Sequence, residues 1–183
     1  MLSLPLASAD NEIWIEQSSG ASNSNYDFEQ LGSANIIGGI DAVAGDMTAL
    51  DLDGTAQTID INQIGNTNKF LGDIWADNFI GFYEFDGDSN TFNMNTDKTN
   101  TFGADGSNHY VKAVGNNNTM TLNHATTALA GTLNLDWIIN GASNTIVGNI
   151  NVDGATNSID LNGNSNNVTY TGTGYAGAYF WLD

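Results

Sequence analysis

The sequence has no cysteine, no arginine, three lysines and one proline. Without cysteine there are no disulfides and no thiolate chemistry. The cations are Lys69, Lys98 and Lys112, against 21 acids, for a formal net charge of −18. Nucleic-acid binding through phosphates needs clustered cations, and none are clustered here. An anionic membrane surface would repel the chain for the same reason. No apolar run reaches 18 residues, which excludes a transmembrane helix. No stretch sustains a 3.6-residue period, so helices are expected to be absent or trivial. The 183 residues suffice for one domain, or one continuous array, with a sizeable core.

What the chain has instead is 27 Asn and 21 Gly, placed in a repeat. The unit is Gly, two small residues, Asn, then alternating apolar residues. It reads Gly20 to Asn23, Gly32 to Asn35, Gly65 to Asn68, Gly87 to Asn90, Gly115 to Asn118, Gly141 to Asn144, Gly154 to Asn157 and Gly163 to Asn166. Gly54-Thr55-Ala56-Gln57 is a variant, and Asp97 to Asn100 and Gly106 to Asn108 are degenerate forms. Glycine supplies the positive φ of a tight turn, and Asn tolerates the left-handed region and bonds its own backbone. The alternating residues point in and out in turn. Neighbouring turns often lie 9 to 13 residues apart, and pairs about 22. A five-residue strand plus a four-residue turn fills the shorter spacing, and two such arms make one coil. The fold class is therefore all-β, a single β-solenoid. Seven or so coils stacked about 4.8 Å apart give a rod about 35 Å long.

The expected inward set is Ile13, Ile15, Phe28, Leu50, Leu52, Ile59, Ile61, Phe92, Met94, Met120, Leu122, Leu133, Leu135, Ile150, Val152, Ile159, Leu161 and Val168. The outward set is Asp51, Asp60, Asn93, Thr121, Asn134, Asn151, Asp160 and Thr169. A slip of one residue would exchange the two sets, so register is strongly specified. Residues 38–46, 72–81 and 125–131 break the pattern and are candidate loops that lean off the rod or contact a neighbour. The organisation expected is an N-terminal extension over 1–10, the repeat solenoid over 11–172, and an aromatic cap or docking tail over 173–183. Tyr175, Tyr179, Phe180 and Trp181 are the tail's interface candidates. The opening segment ends in Ala7-Ser8-Ala9, which has the form of a signal-peptidase site, but it lacks a basic region and a full apolar run. Either the chain is exported uncleaved, or it leaves the cell another way, such as within a virus particle.

Two repeats read Gln-x-Gly-x-x-Asn: Gln30 to Asn35 and Gln63 to Asn68. With the preceding strand Asn11 to Gln17, this resembles the curlin repeat of curli fibre subunits over roughly residues 11 to 70. The resemblance implies a stacked β-solenoid and extracellular fibre-type assembly, and such repeats also look at home in structural proteins of marine bacteriophage particles. Beyond residue 70 only the Gly-x-x-Asn turn persists, and Asn and Thr replace the Gln and Ser ladders.

Other chemistry is thin. Asp86, Asp88 and Asn90 match the start of a calcium loop, but Thr91 and Asp97 stand where Gly and Glu belong, so calcium is a weak candidate. Asp51 and Asp53 could also attract a cation. His109 and His124 have no third ligand for zinc. No nucleophile-elbow signature accompanies any Ser-His-Asp set, and nothing singles out one carboxylate pair for glycoside hydrolysis. Trp14, Trp75, Trp137 and Trp181 could stack on sugars, or fill the core or a subunit seam. The expected function is non-enzymatic: a multi-copy structural protein, a virion fibre or decoration component that associates with itself or with other proteins of the assembly. The alternatives are a secreted curli-like matrix subunit, and a carbohydrate-binding or -degrading solenoid of a tail. The expected location is the virion or the extracellular space, with no cofactor beyond possible calcium and no nucleic-acid partner or membrane insertion.

Overall fold

A computed structural model describes residues 12–13, 15, 21–32, 36–40, 47–48, 54–96, 105–126, 128–174 and 179–183. The expected positions Leu50, Asp51, Leu52, Asp53 and Trp14 lie outside these, as do Gly20, Asn35, Tyr175 and residues 1–10 and 97–100. The chain is an all-β solenoid, with no helix among the described residues. Two parallel sheets run its length. The first stacks Asn25–Leu31, Thr58–Ile64, Ile80–Asp86, Ser107–Val114, Leu133–Asn140, Ala155–Asn162 and Tyr179–Leu182. The second stacks Glu12–Ile13, Ile36–Ile37, Lys69–Asp73, Thr91–Thr96, Thr119–His124, Thr145–Asn151 and Asn167–Thr173. A short third sheet, Ala21–Ser22, Gly54–Thr55 and Ala76–Asp77, lies at one corner. An antiparallel pair, Gly39–Ile40 with Met47–Thr48, packs on Lys69–Asp73.

The period-2 pattern sets which side chains go inside. Along Thr58–Ile64, residues Ile59, Ile61 and Gln63 are buried and Asp60 and Ile64 are exposed. Every expected inward residue that is described is buried or half-buried. Every described outward residue is exposed or half-buried. Leu161 differs from Ile159: it is only half-buried, because the next strand of the sheet ends at Leu182, opposite Ile159, and stops short of Leu161. Leu161→Ala therefore falls short of the 2–5 kcal/mol of a closed core site.

Aromatic rings fill the middle of the rod. Phe70 and Phe92 stack at 5.4 Å, and Tyr83 and Phe85 lean on Phe92 at 5.0 and 5.7 Å. Gly81 makes room for Tyr83, since a Cβ there would overlap the phenol ring. The phenol donates to Met94 Sδ at 3.2 Å, and complete burial holds its pKa well above the usual value. Residues 72–81 do not lean off the rod. Ile74, Ala76 and Phe79 are buried, and Ala76–Asp77 joins the third sheet, so this segment is a working arm of the coil. The run lacks strict alternation because it turns a corner in mid-stretch. In the segment 125–131, Ala125 and Ala130 are also buried, while Leu129 is exposed.

Candidate functional site

Each coil turns twice, and the two corners are built differently. At the first corner, between sheet one and sheet two, the turns begin at Gly32, Gly65, Gly87, Gly115, Gly141 and Gly163, with φ between 119° and 146°. The third residue, Thr67, Ser89, Asn117, Ser143 or Ser165, holds φ of 58° to 63°. Each turn sits directly on the one before. A Cβ on Gly65, Gly87, Gly115, Gly141 or Gly163 would overlap the carbonyl oxygen of the preceding turn's glycine. Glycine is therefore required twice, by the dihedral angle and by the stacking distance.

Asparagine completes the corner. The backbone N–H of Asn68 donates to Asn90 Oδ1 at 2.9 Å, Asn90 to Asn118 at 2.7 Å, Asn118 to Asn144 at 2.8 Å, and Asn144 to Asn166 at 2.9 Å. The amide groups of Asn68 and Asn90 donate back to Gly65 and Gly87 carbonyls, both at 2.9 Å. Asn68, Asn90, Asn118 and Asn144 are fully buried, so this ladder works where water cannot substitute. A second ladder, missed by sequence reasoning, runs outside it in the opposite sense. Asp88 N donates to Asn66 Oδ1 at 2.9 Å, Asn116 N to Asp88 Oδ1 at 2.6 Å, and Ala142 N to Asn116 Oδ1 at 2.8 Å. The signal was available as Asn or Asp directly after Gly65, Gly87 and Gly115. The three proposed calcium ligands do not converge. Asn90 faces inward in one ladder, Asp88 belongs to the other, and Asp86 is exposed.

At the second corner the same letters do other work. Ala21 pairs with Gly54, so Asn23, with φ of 56°, takes the left-handed place that Ala56 and Asn78 hold in the next two coils. Gly154 is followed at once by a strand, Ala155–Asn162, so the stretch to Asn157 is not a turn. Asn157 points inward and donates to the Tyr170 hydroxyl at 2.5 Å. Burial raises the Tyr170 pKa, and this hydrogen bond opposes the rise. Gly106 likewise precedes the strand Ser107–Val114.

Beneath this corner two histidines meet. His109 and His124 lie edge to face, 5.6 Å apart, and Thr96 hydrogen-bonds the His124 ring. Burial first, and then His124, lowers the His109 pKa well below the ordinary value. Among the described residues no group of three or more His, Asp or Glu is placed to hold a metal ion.

The outer faces of the two sheets also differ. Sheet one carries Asp27, Glu29, Asp60, Glu84, Asp86, Asp136 and Asp160, with Lys112 paired to Glu84. Partial burial, then Asp27 and Glu84, raise the Asp60 pKa. Phe82 and Tyr110 stack on each other at 5.0 Å and 11°, beside a cleft of about 330 Å³. Their faces are turned to one another, not to a sugar. Of the described tryptophans, Trp137 fills the core, Trp75 is half-buried and Trp181 is exposed.

Tyr179–Leu182 forms the outermost described strand of sheet one, paired with Ala155–Asn162. All four side chains are exposed, with Tyr179 at 64% and Trp181 at 69%. Phe180 packs on Tyr170 at 4.6 Å over a cleft of about 490 Å³ that opens into the core at Ile150, Val152 and Asn157. Comparison with family models, with curated proteins and with solved structures found no match in any of the three.

Proposed function

We propose that this chain is a non-enzymatic structural subunit that assembles end to end through its solenoid. One observation carries the reading: the outermost strand of sheet one, Tyr179–Leu182, presents four exposed apolar side chains and an edge with no strand beyond it among the described residues. An apolar strand edge of this kind is a template for pairing with another chain. At the other end of the same parallel sheet, Asn25–Leu31 offers the opposite edge. A second copy placed head to tail would continue sheet one in the same direction. The many carboxylates of sheet one's outer face oppose lateral contact there. The fuller form of the proposal is a fibre or decoration component of a virus particle. The buried Gln63-to-Gln30 hydrogen bond of 2.6 Å favours a fibre-forming role, because it repeats the stacked Gln of curlin-type rungs. The alternative is a curli-like matrix fibre. Antibody labelling of purified particles and of cell-surface fibres tells these two apart.

Sedimentation of the full chain against a chain truncated after Thr173, and against Trp181→Glu, tests the assembly. The full chain is expected to grow with concentration, and both variants to stay small. A full chain that remains monomeric at high salt, where charge is screened, would overturn the proposal.

A further inference from the structure

Part of the outer face of sheet two differs in chemistry from the acidic outer face of sheet one. Four strands, Thr91–Thr96, Thr119–His124, Thr145–Asn151 and Asn167–Thr173, contain no Asp, Glu, Lys or Arg, in a chain of net charge −18. They pair in parallel without a slip, so outward residues form straight columns. Thr91, Thr119 and Thr145 make one column. Asn93, Thr121, Val147 and Thr169 make the next, and Asn95, Asn123, Asn149 and Thr171 the third. The third column is fixed internally: Asn149 Nδ2 donates to Asn123 Oδ1 at 2.7 Å, and Asn123 Nδ2 to Asn95 Oδ1 at 2.6 Å. The result is a two-dimensional array of hydroxyls, amides and methyls. Its repeat is about 4.8 Å across the strands and about 6.6 Å along them.

The composition of this face argues for what covers it. It shows no exposed aromatic and no Arg, the residues that anchor protein interfaces. Four strands of about seven residues span roughly 15 by 20 Å, well short of the ~800 Å² per partner of a stable complex. It has no carboxylate to grip a sugar and no ring face to stack on one. A periodic, rigid, uncharged array suits a ligand that is itself periodic, uncharged and made of hydrogen-bond donors and acceptors.

We propose that the outer face of these four strands binds ice. Thr and Asn polar atoms would anchor water at the regular repeat of the sheet, about 4.8 by 6.6 Å, and the Thr and Val methyls between them leave that water to bond to itself. A charged group would orient water radially around itself and break the lattice, which accounts for the missing charges across these four strands; the neighbouring strand Lys69–Asp73 puts exposed Lys69 in register with Thr91 and bounds the array. The proposal does not depend on assembly of the chain.

The test is thermal hysteresis and ice shaping by the full chain, beside Thr121→Lys and Thr145→Lys on the face and Tyr110→Lys on sheet one. Circular dichroism confirms that each variant is folded, and Thr169→Lys, at an exposed position on the outermost strand of sheet two, serves if an inner variant is not. The full chain and Tyr110→Lys are expected to hold freezing below melting and to facet crystals, and the folded face variants to lose both effects. Absence of hysteresis in the full chain would overturn the proposal. So would hysteresis that survives the face substitutions, or a lateral dimer abolished by them in a chain without hysteresis.

Discussion

The two corners of each coil divide the labour of the fold. The first corner repeats one geometry along the described rod, with glycine carbonyls against glycine α-carbons and two ladders of side-chain hydrogen bonds. The second corner changes from coil to coil. It is a short strand at Ala76–Asp77, a single glycine turn at Gly154 and a longer connection after Ala125. Register in a parallel stack needs fixing only once per coil, because a strand held at one end cannot slip at the other. The second corner is thereby free to vary in length and to carry odd chemistry, such as the buried histidines beneath it.

Substitutions at equivalent letters of the two corners should therefore differ. The largest effect is expected for Gly115→Ala. The strained φ and the overlap with Gly87 each cost about 1–3 kcal/mol, or about 2–6 together, read as a drop in unfolding free energy. Asn118→Ala strands the buried N–H of Asn90 and should cost about 1–3 kcal/mol in the same measurement. Gly154→Ala at the second corner meets only Thr132 Cγ2, at 3.7 Å, and should cost about 1–2 kcal/mol from its φ alone. If Gly154→Ala proves as damaging as Gly115→Ala, the corners are not different in kind.

Acid probes the second corner from within. His109 is neutral in the fold because burial, and then His124, lower its pKa, whereas in the unfolded chain it titrates near ~6.5. Below that pH the unfolded state binds the extra proton. Stability is thus fully present above about pH 6.5 and falls as pH drops through and below it, with a slope on the order of 1 kcal/mol per pH unit. His109→Leu should flatten the His109 part of this slope between pH 6.5 and 5 in thermal melts. An unchanged slope would place the acid sensitivity elsewhere. The smallest effect is expected for two glycines inserted after exposed Thr126, which should cost about 0.5 kcal/mol or less, since loop closure depends weakly on length.

The sequence made much of this legible, and the limits have physical causes. Period-2 alternation with Gly-x-x-Asn punctuation gave the all-β solenoid and the inward residues from Ile59 to Ile159, because burial of one face leaves a direct mark on residue order. It did not separate the corners. Asn68 and Asn157 follow their glycines at the same interval, yet one caps a turn and the other lies in a strand. Which job an Asn does depends on the coil above it, and that neighbour is 22 to 28 residues away in the chain. Residues 72–81 were expected to be a loop because Gly72, Gly81 and the absent alternation resemble one. Burial of Ile74 and Phe79 depends on the third sheet, which no local signal announces. The uncharged face of sheet two was equally visible in four strand sequences, but only the pairing register turns them into an array.

Amide hydrogen exchange at the five ladder asparagines tests the spine most directly. The N–H groups of Asn68, Asn90, Asn118 and Asn144 each donate to the next coil's Asn side chain, whereas Asn166 belongs to the outermost described turn of this corner. Under conditions that keep the chain monomeric, the first four amides are expected to exchange only with global unfolding, and Asn166 orders of magnitude faster. Fast exchange at all five, or protection no greater than at Asn23 of the second corner, would contradict a spine of stacked turns.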